Sequence, residues 1–118
     1  MIRLEFVLRR KPGMSRQDFQ QYWKDVHGPL VAQHSTRLGI HRYIQLHTLD
    51  DPINEAMSGA RGGMEPEYGG VAELWWKLPG DLAAFSTPEG QAAAWELLED
   101  EKNFIDLPNS PVWFAHEH

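Results

Sequence analysis

The run RRKPGMSRQDFQQYWKDVHGPL, residues 9–30, contains a complete helix start, an aromatic stripe and an interrupting His-Gly-Pro. Pro12 and Gly13 punctuate a turn, Ser15 is a good N-cap, and Asp18 three residues on completes a capping-box pattern. Met14 and Phe19 flank that cap at hydrophobic-staple spacing. Phe19, Tyr22, Trp23, Val26 and Leu30 then recur at helical period, so one face of the helix is apolar and must be buried, a sheet being the expected partner. Pro29 removes a backbone donor and crowds the preceding turn, which predicts a break or kink at His27 and Gly28. An ionisable ring at a kink beside an aromatic stripe is a candidate site.

On either side of this run the period changes to two. Ile2, Leu4, Phe6 and Leu8 alternate with Arg3, Glu5, Val7 and Arg9, which is a strand. Beyond Pro29 a second helical segment carries Leu30, Val31, His34 and Leu38 and stops at Gly39. Residues 41–49 alternate again, with Ile44 and Leu46 opposed to His41, Tyr43, Gln45 and His47. Residues 50–70 have no period and are rich in Gly and Pro, which predicts a long loop of the kind used as a lid, binding loop or partner-crossing arm. Residues 71–78 form a third strand, with Ala72, Leu74, Trp76 and Leu78 opposed to Val71, Glu73, Trp75 and Lys77. A short helical turn follows at Pro79. Thr87 and Pro88 open a longer helix, for which Ala94, Trp95 and Leu98 read as the buried stripe and Glu99, Asp100 and Glu101 as a solvent-facing acidic run. Residues 112–117 are the last strand.

The order strand, helix, strand, strand, helix, strand is the split βαβ arrangement: an α+β, ferredoxin-like βαββαβ fold with helices on one face of a four-stranded antiparallel sheet. At 118 residues the chain fits one domain, residues 1–118. The other sheet face would carry Val71, Tyr43 and Trp75, too apolar for water, so a second copy is expected to cover it in a two-fold homodimer whose sheets close around a cavity.

Composition narrows the chemistry. A net charge of -6 with scattered basic residues argues against nucleic-acid binding. No long apolar run suggests a membrane span, and the start of the chain lacks signal-peptide architecture, so a cytoplasmic location is the default. With no cysteine, thiolate catalysis, disulfides and cysteine-ligated metal are excluded. His116 and His118 could pair on one strand face, but no spacing matches an established metal motif, so no metal site is assigned.

Strand parity suggests a lining in which Tyr43, Gln45 and His47 share a cavity with Glu73, Trp75 and Val71. Glu73 in apolar surroundings could act as base or acid, or could instead pair with Arg42 or Arg3. His27, Tyr43 and His47 are the further catalytic candidates, with Gln45, Trp75, Val71 and Tyr22 as substrate-binding ones.

Together, the R-x-P-G-x-S and Y-W-x-x-x-H-G-P-L pieces of residues 9–30, the Y-x-Q-x-H of residues 43–47 and the later VAELWWK resemble the EthD domain family of dimeric ferredoxin-like α/β-barrel proteins. The resemblance spans most of the chain. It implies a homodimer with a cavity beside each sheet that takes a small apolar or aromatic ligand. It further implies a small cofactor-free enzyme doing acid/base chemistry, such as isomerisation, cyclisation, dehydration or decarboxylation, on an aromatic, lactone or polyketide-like molecule. Some relatives are metal-free monooxygenases, and others accompany oxidative degradation systems, which leaves an accessory or binding role as the alternative. By motif position His27, Tyr43 and His47 would be the inherited polar groups. The role of Glu73 rests on parity alone.

Overall fold

The computed structural model describes residues 1–64 and 68–118. Four strands, β1 (Ile2–Leu8), β2 (Arg42–His47), β3 (Gly70–Trp76) and β4 (Val112–His116), form one antiparallel sheet in the order β2-β3-β1-β4. The helices α1 (Arg16–Tyr22), α2 (Gly28–His34) and α4 (Pro88–Glu101) supply its cover, with a short α3 (Ile53–Gly59) between β2 and β3. This is the ferredoxin-like topology expected from the order of periods.

The start of α1 follows its sequence cues: the Ser15 hydroxyl accepts from the Asp18 amide at 3.1 Å. Of the break or kink expected at His27 and Gly28, a full break does not occur. Trp23–His27 instead forms a π-helical turn, and the Gly28 amide donates to the Trp23 carbonyl one residue further back than in an α-helix. This widening absorbs the crowding that Pro29 would impose on a regular helix, so α1 and α2 run on through the turn. Gly28 also clears space. A Cβ there would lie 2.9 Å from Gln45 Nε2, which donates to the same Trp23 carbonyl at 2.8 Å.

Two apolar clusters sit between the helices and the sheet. One joins Leu8, Phe19, Trp23, Ala72, Phe104 and Ile105; the other joins Val31, Leu38, Ala93 and Leu97. Trp23 reaches the sheet because Gly70 has no side chain: a Cβ there would meet the indole at 2.5 Å and the Leu46 carbonyl at 2.2 Å.

Three expectations for the later helices are corrected. The stretch 50–70 is not wholly loop, since α3 occupies Ile53–Gly59, although residues 65–67 of that expectation lie outside the described residues. Trp95 is exposed rather than buried, and Gly90, Ala93 and Leu97 form the inward stripe of α4. The acidic run does not all face solvent, because the same stripe carries on from Leu97 to Glu101 at helical spacing.

Register also corrects the face assignment. Tyr43 lies opposite Leu74 and Gln45 opposite Ala72, so Tyr43, Gln45 and His47 point toward the helices. Glu73 lies opposite Ile44 and Glu5, and Trp75 opposite Arg42 and Arg3, so Val71, Glu73 and Trp75 occupy the outer face. The two sets are on opposite sides of the sheet. On the usual assumption that the apolar positions of a strand turn inward, β2 is reversed: Ile44 and Leu46 face outward, and its polar residues find partners beneath the helices.

Candidate active site

Between the two apolar clusters the structure leaves a cavity of about 380 Å³, walled by the inner face of the sheet and by α2 and α4. That is the size of a small-molecule site. The walls are mostly aliphatic and aromatic, with Leu4, Phe6, Leu74, Trp76 and Phe85 among them, and the polar residues that reach it are His27, Tyr43, Glu101 and Ser110. Ser110 is committed elsewhere: its hydroxyl accepts from the Arg9 amide at 2.8 Å and donates to the Asp106 carbonyl at 2.8 Å. Three groups remain for chemistry.

Glu101 reaches the cavity from the last turn of α4. Burial, reinforced by the neighbouring Asp100 charge, pushes its carboxyl from the ordinary 4.5 up to about 7. Its Oε2 lies 4.0 Å from His27 Nε2. The other ring nitrogen, Nδ1, bonds Asp100 Oδ2 at 2.8 Å. A carboxylate can only accept, so Nδ1 carries the proton and Nε2 offers its lone pair toward Glu101. Burial holds the His27 ring below its ordinary pKa against the opposing pull of Asp100. Asp100 is raised by burial but more than compensated by the Tyr22 hydroxyl and His27, and ends below its ordinary value. Tyr22 donates to Asp100 Oδ1 at 2.5 Å, and Asn103 donates to the same oxygen at 3.3 Å. The result is an ordered array: Tyr22 and Asn103 fix Asp100, Asp100 fixes His27, and His27 faces Glu101.

Tyr43 enters from β2. Gln45 Nε2 donates to the Tyr43 oxygen at 2.8 Å, which leaves the phenolic hydrogen free to donate elsewhere. Burial raises Tyr43 above its ordinary pKa, the Gln45 bond and Trp23 oppose that rise, and the Glu101 charge adds to it. Gln45 Oε1 accepts from His47 Nε2 at 2.7 Å, and the His47 ring stacks on Trp23 with centroids 4.5 Å apart. Gln45 is therefore the clamp that joins the π-helical turn to Tyr43.

Of the residues singled out from sequence, His27 and Tyr43 line the cavity. Gln45 and His47 stand behind Tyr43 and Trp23, while Tyr22 stands behind Asp100. Glu73, Trp75 and Val71 are not part of this site. Glu73 pairs with Arg3 on the outer face, where Arg3 also bonds Glu5 at 2.6 Å, and the Trp75 ring lies between the guanidinium groups of Arg3 and Arg42. Asp100 and Glu101 are the residues that sequence reasoning misses, because they fall in an acidic run that reads as solvent-facing. The available signal was spacing, since Glu101 extends the stripe of Gly90, Ala93, Ala94 and Leu97. Among the described residues no group of three or more His, Asp or Glu side chains is arranged to hold a metal ion, and no helix is long and apolar enough to cross a membrane.

Comparison with known proteins agrees with this architecture. No curated protein matches the chain in sequence. A solved EthD-family protein from Bacillus halodurans superposes with a TM-score of 0.64 at 18% identity, covering 100% of both chains. A dimeric protein of ferredoxin-like fold from Bacteroides fragilis gives 0.61 at 6% identity, covering 98% of this chain and 95% of that one. SnoaB, a cofactor-independent oxygenase from Streptomyces nogalater, gives 0.51 at 14% identity over 98% and 93% of the two chains. At these identities the likeness concerns the fold. The sequence profile of the EthD domain matches residues 11–108, most of the chain, and the protein belongs to the EthD domain family.

Proposed function

We propose that the protein is an acid–base enzyme that enolises a ring-bearing carbonyl compound in the cavity between sheet and helices, using its own side chains. The observation that carries this reading is Glu101: a carboxyl held near 7 in an apolar cavity, with His27 on one side and a tyrosine hydroxyl reaching the same space. A base poised near neutral pH is what proton abstraction from carbon requires. Glu101 takes the proton from the carbon beside the carbonyl. The C–H electron pair becomes the new C=C bond, the carbonyl π pair moves to oxygen, and Tyr43 donates a hydrogen bond to that oxygen. His27 Nε2 then accepts the proton from Glu101, or Glu101 returns it to a different carbon. Return at a new position is isomerisation; attack by the enolate on a second carbonyl is cyclisation.

A second reading starts from the same deprotonation. SnoaB is a cofactor-independent oxygenase, and an enolate formed here would be the electron donor to dioxygen in a reaction of that kind. Oxygen uptake with substrate alone separates it from isomerisation. For assembly, we propose a homodimer closed through the outer sheet face, where Ile44, Leu46, Val71 and Trp75 lie together.

The test needs no knowledge of the natural substrate. Aryl methyl ketones incubated with the protein in deuterated buffer should exchange their methyl hydrogens, followed by NMR, with a rate that rises as Glu101 ionises through about pH 7. Glu101→Gln should slow exchange by about 100-fold or more, and Tyr43→Phe by a smaller factor. Exchange that ignores Glu101→Gln, or that is absent from the wild type, would overturn the reading.

A further inference from the structure

We infer that the cavity selects by charge, admitting neutral flat carbonyl compounds and rejecting the carboxylates of the same shape. This rests on the acid–base reading of the same site and adds the substrate class. Among the described residues no Lys or Arg lines the cavity. The cations next in sequence to Glu101 and Tyr43 are turned away: Lys102 bonds Glu99 at 2.7 Å, and Arg42 stacks on Trp75 on the far side of the sheet. The groups that do face inward carry negative charge or none. Glu101 is itself an acid, Asp100 stands directly behind His27, and α4 ends at Glu101, so the carbonyl end of its dipole lies at the cavity wall.

An anion placed here would lose its hydration, meet no counter-charge and lie beside a carboxylate. In apolar surroundings that is among the costliest arrangements a protein can offer. A neutral ketone loses far less on entry, and Tyr43 supplies the one donor its oxygen needs. The aromatic walls, Trp23, Phe6, Trp76 and Phe85, suit the face and edges of a flat ring. With so few polar groups available, the ligand should carry one buried oxygen function and be apolar elsewhere. Compounds tethered to the site through a carboxylate or phosphate are excluded by the same argument.

The experiment compares acetylnaphthalene with the matching naphthoate, a methyl ketone and a carboxylate of nearly equal shape, by titration calorimetry at about pH 8, where Glu101 is mostly ionised. The ketone should bind at least about tenfold more tightly than the carboxylate. Glu101→Gln, which keeps the shape and removes the charge, should narrow that ratio at least about threefold while leaving ketone affinity within about twofold. Retained ketone affinity also reports that the variant's cavity is intact. Equal or tighter binding of naphthoate by the wild type would overturn the inference, as would a ratio unchanged by Glu101→Gln, or binding of neither compound. Deuterium exchange separates this from the acid–base reading. Discrimination without exchange keeps the charge selectivity and removes the catalysis; exchange without discrimination does the reverse.

Discussion

Glu101 shows how one side chain links stability to chemistry. Its pKa is 4.5 in an ordinary setting and about 7 in the folded protein, so between those values the folded state holds a proton that the unfolded chain has released. Stability therefore falls as pH rises through that window. Below it both states are protonated and nothing is lost; above it the full cost of a buried charge applies, on the order of 3 kcal/mol. Glu101→Gln should accordingly stabilise the protein by about 2–3 kcal/mol at about pH 8 and leave it nearly unchanged at about pH 4, as read from urea unfolding at the two pH values. A variant equally stable to wild type at both would mean that the carboxyl is well solvated, which would remove its claim to act as a base at neutral pH. The cost is one that a purely structural position has no reason to retain.

The π-helical turn Trp23–His27 is where backbone geometry becomes site geometry. By shifting the Gly28 amide onto the Trp23 carbonyl, it brings that carbonyl within reach of Gln45, and Gln45 in turn orients Tyr43. Gly28 in a helix is unfavourable by about 1 kcal/mol relative to Ala, so Gly28→Ala would stabilise if propensity were the only effect. The new Cβ would lie 2.9 Å from an amide nitrogen already held by two bonds, and displacing it costs about as much as the hydrogen bonds it makes. Gly28→Ala should therefore destabilise the wild type by about 1 kcal/mol and stabilise a Gln45→Ala background by a similar amount. A double-mutant cycle with thermal unfolding reads the coupling, and additive effects would show that the clamp carries no strain.

The fold leaves one sheet face without helices, and the proposed homodimer would close through it. Leu46 and Trp113 are about half exposed on it, and Ile44 and Val71 are partly so. The acidic residues there, Glu5, Glu73 and Glu117, gather around Arg3, and Trp75 is already packed between two arginines. A second copy would cover the apolar part and leave the ion pairs at its margin. Val71→Asp, on this face, should convert a dimer of the wild type to a monomer in sedimentation velocity while the far-ultraviolet circular dichroism is kept. A monomeric wild type would refute the assembly, though the cavity on the opposite side of the sheet would stand. Ketone binding should survive Val71→Asp, because its walls are drawn from the other face.

Alternation in β1 and β3, the Ser15 and Thr87 caps and the stripe of Phe19 and Trp23 are local patterns, and local sterics and hydrogen bonding suffice to make the fold readable from them. His27 was legible as a ring at the His-Gly-Pro interruption beside an aromatic stripe, whereas strand parity places Tyr43 with Val71 and Trp75 on the outer face and the structure puts it on the inner one. Three things were settled by contacts between distant segments. The face that β2 turns inward depends on the partners waiting there, the Trp23 carbonyl and the cavity, and these reversed the expected preference of Ile44 and Leu46 for the interior. The helix passes Pro29 unbroken because a π-helical turn, braced by Gln45 from another element, could absorb the crowding. Glu101 became a candidate base because α4 lies with its last turn over the sheet. Its place in an acidic run alone read as solvated, and only burial in the cavity beside His27 made it an unusual acid.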